Sequence, residues 1–148
     1  MDKHLFLSQL KSLVEDEDNI IANLSNTSAF LNQILDKINW VGFYLMNNGE
    51  LILGPFQGKV ACVHIPVGKG VCGTAVKERK TMLVKNVHEF PGHIACDGAS
   101  NSEIVVPIFK DNEVIGVLDI DSPVFERFDE YDQDFLEEVV KILEKYVF

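Results

Sequence analysis

Trp40-Val-Gly-Phe-Tyr-Leu-Met46, Asn47-Asn48-Gly49 and Leu51-Ile-Leu53 read as two extended arms joined by a tight turn. Both arms are rich in apolar, aromatic and β-branched residues. Asn-Gly between them suits a turn with positive φ, whose twist matches that of paired strands. A β-hairpin is therefore expected here. On its N-terminal side, residues 3–38 carry apolar side chains at helical spacing: Leu7, Leu10 and Val14, then Ile20, Leu24, Leu31 and Leu35. The acidic run Glu15 to Asp18 breaks that pattern, which predicts two helices with a solvated junction. On its C-terminal side a third strand is expected near residues 61–66, and Gly68-Lys69-Gly70 opens a short helix over 71–78. Extended chain follows at 82–84. An irregular segment, 86–102, precedes a second hairpin formed by 103–109, the turn Asp111-Asn112, and 114–120. Asp129 caps a closing helix with apolar Tyr131, Phe135, Leu136, Val139, Val140 and Leu143.

This order of elements predicts one α+β domain over residues 1–148. Its mainly antiparallel six-stranded sheet is backed by the N- and C-terminal helices. With 148 residues, 47% of them hydrophobic, the chain can build one substantial core. A formal charge of −10, from 23 acidic and 13 basic residues without a basic stripe, argues against nucleic acid. Leu5-Phe6-Leu7 is too short for a signal-peptide core and far too short to span a bilayer. A cytoplasmic protein is expected. In that compartment thiols stay reduced, so Cys62, Cys72 and Cys96 read as catalytic, metal-binding or incidental before they read as structural staples.

Strand alternation places Asp119 and Asp121 on one face of the last strand and Leu118 and Ile120 on the other. The apolar pair suits the core, so the carboxylates face away from it. Glu103, at the start of a neighbouring strand, joins them. Carboxylates gathered in this way repel one another and raise at least one pKa, which permits a shared proton near neutrality or the binding of a cation. The competing reading makes Asp121-Ser122 the start of an exposed turn. Trp40 and Tyr44, four apart, share a face and are suited either to wall a pocket for a methyl or thioether group or to fill the core. Of the thiols, Cys72 lies in the first turn of the short helix, where the helix dipole favours a thiolate. Cys96 sits in the irregular polar segment, and Cys62 in a strand. His64 alternates onto the face of Cys62, whereas His88 and His93 read as loop surface.

Trp40-x-x-x-Tyr44, Cys62, Gly70-Val-Cys72-Gly-Thr-Ala75, His93-Ile-Ala-Cys96-Asp, Ser102-Glu103-Ile-Val-Val-Pro107 and Gly116-Val-Leu-Asp119-Ile-Asp121-Ser together resemble the free methionine-(R)-sulfoxide reductases of the GAF fold. The motifs cover residues 40–122. The resemblance implies a pocket roofed by a loop and the short helix, over the sheet face opposite the helices. It implies Cys96 as nucleophile, Cys62 as the main resolving thiol and Cys72 as an auxiliary one, which overrules the dipole argument for Cys72. It further implies that Glu103, Asp119 and Asp121 bind the substrate's free amino group and manage the proton for the sulfoxide oxygen, with Trp40 and Tyr44 around its methyl end. No prosthetic group is implied, only thioredoxin as external reductant acting on a Cys62–Cys96 disulfide. A homodimer through the N-terminal helices is a further expectation by analogy with GAF domains. Two other readings compete. One is a GAF domain that senses a small molecule without chemistry, which a pocket holding three carboxylates disfavours for phosphate ligands. The other is a zinc site of Cys62, His64, Cys72 and Cys96, whose spacing lacks the close pairs of structural zinc sites; no metal is expected.

Overall fold

A computed structural model describes residues 1–93 and 98–148. Helices α1 (Lys3–Val14) and α2 (Ile20–Ile34) open the chain. Each is started by a side-chain cap: Asp2 accepts from the Leu5 N–H at 3.0 Å and Asn19 from the Ala22 N–H at 2.9 Å. Strands β1 (Trp40–Asn47) and β2 (Glu50–Gly58) form the first hairpin. Its turn residues Asn48 and Gly49 have φ of 52° and 82°, as a two-residue primed turn requires. Strand β3 (His64–Pro66), helix α3 (Gly70–Glu78), strand β4 (Met82–Val84) and a 3₁₀ turn (Val87–Glu89) follow. The second hairpin is β5 (Ser102–Lys110) and β6 (Glu113–Ser122), turning at Asp111 and Asn112, again with positive φ. Helix α4 (Glu130–Tyr146) closes the chain behind a capping box of Asp129 and Asp132.

The sheet is antiparallel throughout, in the order β3-β2-β1-β6-β5-β4. One face carries Val41, Phe43, Ile104, Val106, Ile108, Leu118 and Ile120, which pack against Leu10, Leu24, Leu31, Phe135, Leu136 and Leu143 of α1, α2 and α4. The other face carries Trp40, Tyr44, Val105 and Val117 beneath Val71, Cys72, Ala75 and Val76 of α3. Alternation along β6 thus sends Leu118 and Ile120 to the helices and Asp119 and Asp121 to the α3 side. Tyr131 and Ile20, expected on buried faces, are 50% and 42% exposed. Each stands in the first turn of its helix, beyond the edge of the packed layer. Among the described residues no helix is long and apolar enough to cross a membrane.

Two strands differ in length from the sequence reading, with consequences for the thiols. Strand β2 runs on to Gly58, while β3 begins only at His64, so Cys62 lies in the connecting loop rather than in a strand. The cause is visible in the aromatic pair of β1. Trp40 Nε1 donates to the Lys59 carbonyl at 3.1 Å and the Tyr44 hydroxyl to the Cys62 carbonyl at 2.9 Å. These bonds hold 59–62 over the sheet face instead of in its plane. Opposite them the β1–β2 register shifts between Gly42 and Tyr44, and Pro55, which has no N–H to donate, falls in the bulge. Gly42 is required there: a Cβ would stand 2.8 Å from Phe56 Cα and 2.9 Å from the Pro55 oxygen. Gly42→Ala is therefore expected to destabilise the fold by about 2 kcal/mol or more, measured as a lower midpoint in denaturant with an unchanged m-value.

Candidate active site

The pairing of β1, β6 and β5 assembles the acidic centre. Asp121 faces Glu103 on one side and Trp40 on the other, and Asp119 lies between Val105 and Gly42. All three carboxylates line a pocket whose walls are Trp40 and Tyr44 and whose lid is the start of α3 with Val60, Ala61 and Ile65. The aromatics are both core and wall: Trp40 stacks on Tyr44 at 5.9 Å and on Phe56 at 5.1 Å between ring centres, and each is nearly fully buried. Asp121 belongs to the strand and the pocket, not to an exposed turn. Its neighbour Ser122 is fully buried and donates to the Lys37 carbonyl at 2.5 Å.

Glu103 and Asp119 are 7% and 5% exposed. Burial raises the Glu103 pKa well above its ordinary value, and the charges of Asp119 and Asp121 push it in the same direction. Burial raises Asp119 as well, partly offset by hydrogen bonds from Glu103 and Cys72. Glu103, hydrogen-bonded to its two acidic neighbours, is therefore the member of the cluster that holds a proton most strongly. Asp119 Oδ1 is buried with no hydrogen-bond partner among the described residues, so the cluster presents an open acceptor to the pocket. A raised carboxyl pKa means that the folded chain holds more protons than the unfolded chain above pH 4.5, the ordinary value. Stability from this source is full below that pH and is lost as pH rises towards the folded pKa. Glu103→Gln, which keeps the neutral shape, is expected to flatten that decline. Thermal midpoints across pH for the two proteins check it, and parallel curves would refute it.

Cys72 is a free, buried thiol in the first turn of α3. The dipole argument for a thiolate there is overturned. Burial raises its pKa well above the usual thiol value, and the charge of Asp119 raises it further. A helix N-terminus offers a fraction of a charge, whereas the thiol has lost its water and faces carboxylates. Cys62 is disulfide-bonded. Cys96 lies outside the described residues. His64 is turned away to an exposed contact with Glu50 at 2.8 Å, apart from the pocket, so it does not join Cys72 as the zinc reading required.

Lys69, His93 and Ser100 also line the pocket, and sequence reasoning missed them. Ser100 is buried and accepts from Asn39 Nδ2 at 3.2 Å. His93, read as loop surface, is half-buried, and its pKa is lowered by that burial and then by His88, so its imidazole is neutral at pH 7. Its place three residues before Cys96 in one motif was the available signal. Lys69 had one too, standing between the two glycines that open α3.

An antiparallel sheet with helices on one face and a lidded acidic pocket on the other is the build of a GAF domain, and the family model described as GAF domain matches residues 25–144. The chain is 53% identical to the free methionine-R-sulfoxide reductase of Escherichia coli, over 98% of this chain and 90% of that one. Among solved structures, fRMsr of Staphylococcus aureus in its reduced form superposes with a TM-score of 0.96 at 63% identity, covering 99% of this chain and 96% of that one. The free methionine-R-sulfoxide reductase of Neisseria meningitidis in complex with its substrate gives 0.94 at 48%, covering 99% and 90%. The chain belongs to the free methionine-R-sulfoxide reductases of the GAF-domain family.

Proposed function

We propose that residues 1–148 act as one domain that reduces the (R)-sulfoxide of free methionine to methionine, with Cys96 as nucleophile. The observation that carries this reading is the pocket itself: Asp119 with an open oxygen, Asp121 on the same strand face, Glu103 with its pKa raised by burial and by both of them, and an aromatic wall of Trp40 and Tyr44 alongside. An ammonium fits the open oxygen of Asp119, and the methyl sulfoxide fits the aromatic end. The first turn of α3 lines the same pocket and has no side-chain cap on Lys69. The Gly70 N–H donates to the Gly92 carbonyl, so the N–H groups of Val71 and Cys72 and the helix dipole suit the substrate's carboxylate.

The Cys96 thiolate attacks the sulfoxide sulfur while Glu103 delivers its proton to the departing oxygen. The attack makes an S–S bond. The hydroxyl then moves to Cys96 Sγ as both the S–S and S–O bonds to the substrate sulfur break, the electron pair stays on that sulfur, and methionine leaves a sulfenic acid behind on Cys96. The Cys62 thiol condenses with it, releasing water and forming the disulfide. A disulfide on Cys62 with Cys72 free supports Cys62 as the resolving thiol and Cys72 as an auxiliary one. A dithiol of the thioredoxin class then exchanges with the disulfide and restores both thiols; the cycle requires no prosthetic group, and it suits the reducing cytoplasm. Val60 and Val63, 88% and 51% exposed on either side of Cys62, suit the apolar contact such a protein makes. Pairing of two copies through α1 and α2 is supported by exposed Leu5, Leu13 and Ile21.

The deciding experiment supplies the two sulfoxide epimers of free methionine with a thioredoxin system. Consumption of reductant with the (R) epimer alone is expected. Equal turnover of both epimers, or of neither, would refute the reading.

A further inference from the structure

Among the described residues, Cys72 Sγ and one carboxylate oxygen from each of Glu103 and Asp119 lie within 4.8 Å of one another, all three side chains buried. A thiolate and two carboxylates are donors that zinc accepts. With Zn–S near 2.3 Å and Zn–O near 2.1 Å, a tetrahedral ion holds such donors about 3.5 Å apart. The three donors exceed that separation by at most about 1.3 Å. A second observation, independent of the spacing, points to a ligand here: Asp119 is 5% exposed and its Oδ1 has no hydrogen-bond partner among the described residues. A buried acceptor left in that state is costly, by about 1–3 kcal/mol, and an incoming cation relieves the cost.

We propose that this pocket is also a binding site for a soft divalent cation of the zinc class, held by Cys72, Glu103 and Asp119, and that the bound ion excludes the substrate. The exclusion rests on the reading that the same carboxylates take the substrate's amine; the metal site does not. On binding, the Cys72 thiol proton and the proton on Glu103 leave to solvent, and three anionic donors face the dication with no change of oxidation state. Water or the neutral imidazole of His93, which lines the same pocket, completes the tetrahedron. The thiolate makes the site selective, because magnesium and calcium prefer all-oxygen shells. Free zinc would thereby hold the reductase in check.

The test uses the oxidised protein, in which Cys62 is disulfide-bonded and Cys72 is the free thiol among the described cysteines. Cobalt(II) is titrated in and followed by its thiolate charge-transfer absorption and by equilibrium dialysis. One cobalt per chain is expected, with the thiolate band present, displaced by zinc and untouched by magnesium. Cys72→Ser should lose the band. The isosteric Asp119→Asn, checked by circular dichroism, should bind about 100-fold more weakly, at least what the loss of an outer-shell partner costs. Wild type without the thiolate band, or a band of equal strength in Cys72→Ser, overturns the site. Excess free (R)-sulfoxide should displace the cobalt. A band that survives saturating substrate overturns the shared use of the carboxylates, and with it the substrate reading, whereas the metal site is decided by the band alone.

Discussion

Serine at position 96 is expected to abolish sulfoxide reduction, with kcat/KM falling by more than about 10³-fold. The reason is the atom that must receive the oxygen. A thiolate attacks the sulfoxide sulfur and keeps the oxygen as an S–O bond, while a serine hydroxyl would have to form an O–O bond. Neither other thiol can take over the role. In the proposed cycle Cys62 is the resolving thiol, and burial together with the Asp119 charge keeps Cys72 protonated. Cys62→Ser separates the two halves of the cycle: one equivalent of methionine per chain should still appear, but thioredoxin-coupled turnover should collapse. Rapid-quench measurement of methionine beside the steady-state assay reads both. Full activity in Cys96→Ser, or unimpaired recycling in Cys62→Ser, would sink the assignment.

Loss of the substrate's amine should be nearly as damaging. Asp119 and Asp121 sit side by side on the pocket face of β6, with Glu103 across the strand pair, and an ammonium is the partner such a cluster accepts best. A hydrogen bond to a charged group contributes about 1.5–3 kcal/mol. N-acetylated or peptide-bound methionine sulfoxide should therefore react at least ~100-fold more slowly, the equivalent of about 2.7 kcal/mol. Acetylation adds bulk as well. The deamino analogue, which lacks the amine and adds no atoms, separates charge from size and should be slowed to a similar degree. Asp121→Asn should weaken turnover of the free amino acid while narrowing its advantage over the capped one. The comparison is kcat/KM for free, acetylated and deamino (R)-sulfoxides on both proteins. Equal values for the free and deamino compounds on the wild type would show that the carboxylates do not read the amine.

The two hairpins were legible because their signals are local. Asn48-Gly49 and Asp111-Asn112 take positive φ where the chain must turn, and period-two alternation on β6 told which side Asp119 faces. The caps at Asp2, Asn19 and Asp129 are contacts within one helical turn, although only the last was read in advance. The site was legible as a combination of motifs. Its individual members were not, since a buried Trp or an Asp-x-Asp pair is equally at home in a core or a turn. The place of Cys62 was misread for a related reason. Its segment carries strand-forming residues, but the indole of Trp40 and the hydroxyl of Tyr44 take its carbonyls and lift it off the sheet.

By itself, then, the sequence determined the elements, their faces and the residue types brought to the pocket, because φ preferences, caps and alternation act over a few residues. Only the tertiary structure decided what those residues become. The order β3-β2-β1-β6-β5-β4 sets Trp40 beside Asp121 and Asp121 beside Glu103, juxtapositions that no local pattern contains. It also decided that Glu103 holds a proton more strongly than its acidic neighbours and that the Cys72 thiol stays neutral. Those states follow from lost solvent and neighbouring charge, and both are supplied by chain segments tens of residues away.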